Sequence, residues 1–411
     1  MRNLLDTPVA KFLGLEGKET SFWGRGLALG LRNPRIIQTF LYEGYRNLIG
    51  VNLDRRFHPG HSGPPNEIVL DLTRRCNLKC VMCTQIRHSD DIPDCLTWYD
   101  PRRELALADW VGLLDQVTSF RPRVHLIGGE PTVYPHFHDL VREINARGLF
   151  TRLTTNGTRL AGVAELLVSS GVELVVVSLD GPPEIHNRIR GQRGVFERAT
   201  AGLKALVETR NRHGRLGPII AVNCTISRDN LEILDQMVPL ALDLGADLLQ
   251  FHHTFFDHPA NVAKHNRVLS PERCRDWGLD VAHPSISDHE YYQSQIGAAD
   301  LPRLVAGLKE AQRQAKGWLN LLFFPNLPLE LLEPYYLDLD YPFAPICKSL
   351  WKSCRIYPDG TIAPCFHVMV GNIKEQRLLE LWNSPKMQRL REVINRGLLP
   401  GCARCCSRQF L

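Results

Sequence analysis

The stretch "TRRCNLKCVMC" runs from Thr73 to Cys83 and sets Cys76, Cys80 and Cys83 in a C-x3-C-x2-C spacing. It continues directly from the apolar run "EIVLDLT" (67–73). A structural zinc site takes four ligands, and a disulfide framework takes an even number of cysteines. Three close thiols suit a metal cluster with one coordination position left open. The rest of the chain decides whether the surroundings fit that chemistry.

Working outward, five more apolar runs follow: "VHLIGG" (124–129), "FTRLTTN" (150–156), "VELVVVSLD" (172–180), "PIIAVNCTI" (218–226) and "DLLQFHH" (247–253). Helical patterns such as "FHDLVREINARG" (137–148) and "VFERATAGLKALVETRNRHG" (195–214) lie between several of them. Near-continuous apolar strands alternating with amphipathic helices indicate a parallel sheet covered by helices. Six such units predict an α/β fold, a partial (β/α)6 TIM-like barrel, with its chemistry at the C-terminal strand ends. Those ends carry small and polar residues: "GGEP" (128–131), "TNGT" (155–158) and "SLDG" (178–181). Glycines there let a ligand approach the backbone, and Glu130, Asn156, Ser178 and Asp180 offer hydrogen bonds to a nucleotide-sized ligand.

The 411 residues, 44% of them apolar, are enough for a large core and more than one domain. The divisions expected are a helical extension and linker (1–65), the barrel (66–255), a helical connecting or substrate region (256–345) and a cysteine-rich module (346–411). No apolar run approaches the ~18 residues of a membrane-spanning helix, and "MRNLLDTPVAKFLGLEGKE" lacks a secretory signal. A reducing cytoplasm is expected, where the 12 cysteines are metal ligands or core residues. The net charge is +5, and residues 1–65 hold nine Lys or Arg against five Asp or Glu. Basic runs with interleaved aromatics are missing, which excludes a nucleic-acid footprint. In the extension, Asn33 and Pro34 start a helix with Ile37, Phe40, Leu41, Tyr45 and Leu48 on one face. That helix is read as a cap over the open barrel, ahead of a peripheral membrane contact. "HPGHSGPP" (58–65) reads as a linker.

In this order and on these strands, "CNLKCVMC", "GGEP", "TNGT" and "SLDG" resemble the radical S-adenosylmethionine (SAM) superfamily. The resemblance covers about residues 66–255 and implies that Cys76, Cys80 and Cys83 hold a [4Fe–4S] cluster whose fourth iron takes SAM. An electron from the cluster then splits the sulfonium, and a 5′-deoxyadenosyl radical abstracts hydrogen from the substrate. By the same resemblance Gly128, Gly129 and Glu130, with Pro131 closing the motif, meet the SAM amino group. Asn156, Ser178 and Asp180 line its ribose and methionine parts, and Arg190 reaches its carboxylate. Met82 stands where the family often has an aromatic residue, and it packs against the adenine or the cluster. Flavodoxin or ferredoxin is the implied electron donor.

The segment from Cys347 to "CARC" resembles the SPASM/twitch extension of these enzymes. It implies one auxiliary [4Fe–4S] cluster on Cys347, Cys365, Cys402 and Cys405. Cys354 and Cys406 are the alternative ligands, and Cys354 alternates as a core residue of the strand "SCRIY". Cys224 reads as core. Cys95, in "SDDIPDCLTWYD", is the candidate hydrogen donor to a substrate radical. His252, His253 and His258 are candidates near the end of strand six. The function expected is dehydrogenation or epimerisation of a small sugar- or cyclitol-like metabolite, and residues 1–65 show no βββ-plus-helix peptide-recognition pattern, which counts against a peptide substrate that carries a leader. Peptide or protein maturation is the second reading. A non-catalytic iron–sulfur or zinc module is the reading from another class.

Overall fold

Glu67–Asp71 (β1) begins a parallel sheet that continues through Arg123–Ile127 (β2), Thr151–Thr155 (β3), Leu174–Ser178 (β4), Ile219–Ile226 (β5) and Leu248–His253 (β6). All six were legible as apolar runs. The computed structural model describes residues 41–42, 44–83, 103–254, 256–281, 295–343, 347–365 and 368–405. The remaining strands are Asp280–Val281 (β7), Asn320–Phe324 (β8), Ser353–Ile356 (β9), Thr361–Ile362 (β10), Val368–Met369 (β11) and Gly371–Asn372 (β12). The main sheet runs β12-β10-β9-β1-β2-β3-β4-β5-β6-β8, and β7 pairs with β11 apart from it.

Two parallel strands thus extend the six expected ones. β8 pairs with β6, and β9 pairs with β1. The cysteine-rich module therefore continues the barrel sheet through β9. β8 begins in the last three residues of "ADLPRLVAGLKEAQRQAKGWLNLL" (299–322), which reads as one helical piece, and runs on to Phe324. The helix Leu301–Ala315 ends before Gly317, whose φ of 85° leaves the right-handed region, and the chain re-enters as a strand.

Period two divides the strands into two faces. Leu70, Leu126, Leu153, Val175, Val177, Val222 and Phe251 are buried in the main core with Trp110, Leu140, Leu167 and Leu203 of the covering helices. The helix Phe137–Ala146 shows how: Phe137, Leu140, Val141 and Ile144 form its buried stripe. Each such side chain contributes about 1.5–3 kcal/mol on burial. Ile127, Thr154, Ser178, Thr225 and His252 face the lumen and line one pocket at the C-terminal ends.

"SCRIYPDGTIAPC" (353–365) reads as a hairpin with its turn at Pro358-Asp359-Gly360, and the chain turns there between β9 and β10. Gly360 has φ 89°, and Thr361 N–H donates to Asp359 Oδ1 at 3.0 Å. The segment "LLELWNSPKMQRLREVINRG" (378–397) reads as one helix, and the structure splits it into Leu378–Trp382 and Pro385–Arg396. Ser384 caps the second piece and Pro385 opens it, which ends the first.

Residues 58–65 form a held strap rather than a free linker. Trp382 Nε1 donates to Gly63 O at 2.8 Å, Asn383 Nδ2 to Ser62 O at 2.9 Å and Arg391 Nη1 to Gly60 O at 3.1 Å. The described part of the N-terminal extension docks on the same module. Arg55 Nε donates to Asn395 Oδ1 at 3.0 Å, and Asn395 Nδ2 returns a bond to Arg55 O at 3.1 Å. The expected helix start at Asn33–Pro34 lies outside the described residues. Among the described residues, no helix is long and apolar enough to cross a membrane.

Candidate active site

The cysteine loop leaves β1 and is clamped by two segments far from it in sequence. Gly129 N–H donates to Thr73 O at 2.7 Å and Glu130 N–H to Arg75 O at 2.9 Å. Val81 N–H donates to Ile189 O at 2.8 Å. A Cβ at Gly128 would lie 2.6 Å from Thr73 O, and one at Gly129 would lie 2.4 Å from Arg75 O. The room these glycines leave is therefore filled first by the loop's own backbone. Both still line the pocket.

Cys76, Cys80 and Cys83 face one pocket of about 360 Å³, a size that suits a small ligand. Met82, Gly128, Gly129, Glu130, Asn156, Ser178 and Arg190 line it with them. Two residues from the sequence reading stand behind its wall. Pro131 is buried at the start of a short 3-10 turn. Asp180 is fully buried beneath Arg190. Thr154, Thr225 and Thr254 line the pocket without having been singled out. Thr225 and Thr254 had a signal, since they sit at the ends of the fifth and sixth apolar runs.

Donors converge on the sulfurs. Leu78 N–H points to Cys76 Sγ at 3.4 Å, Asn156 Nδ2 to Cys76 Sγ at 4.0 Å and Arg190 Nη1 to Cys80 Sγ at 3.9 Å. Burial pushes the Cys76 thiol up to about 11, so ionisation there calls for a cation. Three thiols on one pocket, two of them with N–H donors aimed at the sulfur, fit metal-bound thiolates.

Glu130 acts inward. Its carboxylate accepts from Thr132 Oγ1 and Thr155 Oγ1, both at 2.7 Å, and from Asn156 N–H at 2.8 Å. It ties the end of β2 to the end of β3. Burial raises its pKa. Arg190 is anchored as well, with Nε donating to Asp180 Oδ2 at 2.6 Å.

The histidines separate. His252 lines the pocket, and burial pushes it down to about 4. His253, one residue on, points to the opposite face and meets Tyr336 Oη at 2.7 Å. Burial pushes it down to about 3. His258 accepts from Ala260 N–H at 3.3 Å and caps the helix Pro259–Val268. Cys95 lies outside the described residues. Cys224 is fully buried in β5.

A second group of cysteines forms in the C-terminal module. Cys402 lies within electrostatic reach of Cys347, Cys365 and Cys405. Burial pushes the Cys347 thiol up to about 11, while the backbone N–H groups of Ser349 and Leu350 donate to it. Cys354 is elsewhere: fully buried on β9, opposite Ile68 of β1 and within reach of Arg391. Cys406 lies outside the described residues.

Residues 70–221 match the family model described as the radical SAM superfamily. Residues 347–406 match SPASM, an iron–sulfur cluster-binding domain. The chain belongs to the radical SAM superfamily. Its C-terminal module is a SPASM domain, and its cofactors are a [4Fe–4S] cluster, SAM and auxiliary iron–sulfur. This radical SAM enzyme is 28% identical over 337 residues to the AdoMet-dependent heme synthase of Methanosarcina barkeri, covering 80% of this chain and 85% of that protein. It is 29% identical over 329 residues to the PqqA peptide cyclase of Ruegeria pomeroyi, covering 77% and 74%. Among solved structures, SuiB of Streptococcus suis bound to SAM superposes with TM-score 0.57 at 19% identity, over 80% of this chain and 68% of that one. That likeness supports the fold.

The peptide cyclases, which recur from several Xanthomonas strains, overturn the expected sugar- or cyclitol-like substrate. A peptide-recognition domain missing from residues 1–65 counts only against a peptide that carries a leader. Its absence says nothing about what the barrel itself accepts.

Proposed function

We propose that this radical SAM enzyme matures a peptide or protein by removing hydrogen from one of its side chains, with oxidation or crosslinking as the outcome. The observation that carries this reading is the 29% identity to a PqqA peptide cyclase over three-quarters of both chains. The lumen supports it. Leu322 and Phe324 on β8 are 45% and 41% exposed, and they pair with Gln250 and His252 of β6. They give an open apolar wall that leads to the pocket.

In this reading Cys76, Cys80 and Cys83 hold the cluster, with Asn156 donating to the sulfur of Cys76 and Arg190 to that of Cys80. Gly128 and Gly129 meet the SAM amino group, Glu130 fixes that strand end, Asn156 and Ser178 orient SAM, and Met82 packs against it. Together, cluster and SAM supply a hydrogen-abstracting 5′-deoxyadenosyl radical. Leu322, Phe324 and the strand-end threonines keep the substrate side chain placed and water out. Cys347, Cys365, Cys402 and Cys405 hold one auxiliary cluster. Flavodoxin or ferredoxin in a reducing cytoplasm supplies electrons.

The test uses anaerobically reconstituted enzyme and uniformly deuterated peptides encoded beside its gene. Deuterium is expected in 5′-deoxyadenosine. Transfer from a non-peptide metabolite, with none from any of those peptides, overturns the reading.

A further inference from the structure

One pleat below the pocket the lumen becomes cationic. Arg152 on β3 pairs with His125 of β2 and with Leu174 of β4, and His125 Nε2 meets Thr154 Oγ1 on the pocket wall at 2.9 Å. Arg152 is therefore next below Thr154 on the inner face. Arg355 on β9 lies level with His125 across Val69 of β1, Arg123 on β2 lies one pleat lower beside Glu67, and Arg74 follows the end of β1. Among the described residues, Asp71 and Glu67 are carboxylates that face these guanidinium groups. Asp71 is committed to Arg355 at 2.6 Å and Arg74 at 3.4 Å. Glu67 lies 3.6 Å from Arg123.

Arg152 is the unmatched member. Among the described residues its side chain makes no hydrogen bond or salt bridge, and its Nε is buried without a partner. Glu67 is the acid within its electrostatic reach, and Glu67 is already shared with Arg123. His125 and His252 both feel its charge, which places it centrally under the pocket. The side chain is partly exposed. Keeping an unpaired guanidinium in a confined lumen is costly. A planar donor fork suits a carboxylate.

We propose that Arg152, flanked by Arg123, receives a carboxylate of the substrate and so sets the depth at which the reacting side chain enters beneath SAM. The inference rests on the peptide reading for the nature of that substrate: an acidic side chain or a peptide C-terminus.

The test uses reconstituted holoenzyme with SAM. Phenylglyoxal labelling of Arg152, read by mass spectrometry, is followed with three probes: glutarate, Ac-Gly-Glu-Gly-NH2 and Ac-Gly-Gln-Gly-NH2. Glutarate and the Glu peptide are expected to protect Arg152 at about tenfold lower concentration than the Gln peptide, the scale of one charge-assisted pair. A free-acid Gly-Gln-Gly distinguishes a C-terminal carboxylate from an acidic side chain. In R152Q, Glu-over-Gln discrimination, read by calorimetric binding, is expected to collapse to within about twofold, with R152K retaining part of it. SAM affinity stays within about twofold in both. Equal protection by the Glu and Gln peptides overturns the proposal, a result that needs no variant to fold. So does discrimination that survives in R152Q, or a tenfold loss of SAM affinity in R152Q with discrimination retained. Protection by glutarate and by neither peptide supports the carboxylate site and counts against the peptide reading instead.

Discussion

Arg190 bonds Asp180 with one edge of its guanidinium and aims the other at Cys80. Nε and Nη2 each lie 2.6 Å from Asp180 Oδ2, and Nη1 lies 3.9 Å from Cys80 Sγ. Asp180 is locked in turn by Thr225 N–H, which donates to Oδ1 at 3.0 Å. The pair holds a positive charge against a cysteine that the proposed function makes a cluster ligand. Asp180→Asn would leave that charge buried with one good partner fewer. Loss of a buried partner costs about 3–5 kcal/mol. The expected result is a lower urea midpoint and at least about a halving of iron bound after reconstitution. Arg190→Lys keeps charge but cannot bridge both groups, so it should fold normally and still load poorly. Full iron loading in both variants would remove the role assigned to the pair.

Gly191 tests the clamp on the cysteine loop. Its φ is 72°, and a Cβ there would lie 2.1 Å from Lys79 O. A left-handed conformation costs a non-glycine residue about 1–2 kcal/mol, and the clash adds to that because backbone cannot move aside as a side chain can. Gly191→Ala should therefore push the loop between Cys76 and Cys83 away from the helix Pro183–Ile189. Far-UV circular dichroism is expected to stay at wild-type intensity, while the cluster absorbance after reconstitution falls by more than about half.

How much of this was readable in advance depends on whether the signal is local. β1 to β6 were visible because an apolar run between helical patterns is a property of a few neighbouring residues. Cys354 was placed in the core by alternation alone. β8 was lost because its run joins a helical pattern, with Gly317 as the only break. The split at Ser384–Pro385 was likewise a local signal outweighed by a long apolar period. The contacts of Arg190 and Asp180 were out of reach. Their residue types suit a ligand as well as each other, and only the folded chain shows that the carboxylate faces Arg190 rather than the pocket. The same holds for Gly128 and Gly129, whose missing side chains admit a loop some 55 residues earlier in the chain.

Glu173 gives a pH test away from the iron sites. Burial pushes its carboxyl up from 4.5 to about 8, and its Oε2 accepts from Thr151 N–H at 2.7 Å. Between those values the folded chain holds the proton and the unfolded chain does not. Stability from this group is thus present below pH 4.5, falls as pH rises to about 8 and is flat beyond. The slope is at most about 1.4 kcal/mol per pH unit. Glu173→Gln keeps the acceptor and cannot ionise. Urea midpoints at pH 5.5, 7 and 8.5 should shift progressively in favour of the variant. A constant difference across that range would show that Glu173 ionises in the fold as it does in water.

The last prediction separates the cysteines of the C-terminal module. Cys402 sits within reach of Cys347, Cys365 and Cys405, whereas Cys354 is sealed between β1 and the Arg391 layer with its thiol pushed up to about 12 by burial. A thiol on the buried face of a strand cannot turn toward the other four without undoing the pairing of Cys354 with Ile68. Cys354→Ala should therefore keep all the iron, about eight atoms per chain for two [4Fe–4S] clusters, and lose only about 1–2 kcal/mol from the small void. Cys402→Ala should retain about four irons together with SAM cleavage, because the first three cysteines are untouched. Iron and sulfide analysis with Mössbauer spectroscopy of the two variants decides the assignment. A Cys354→Ala protein with half its iron would exchange the roles proposed for these two residues.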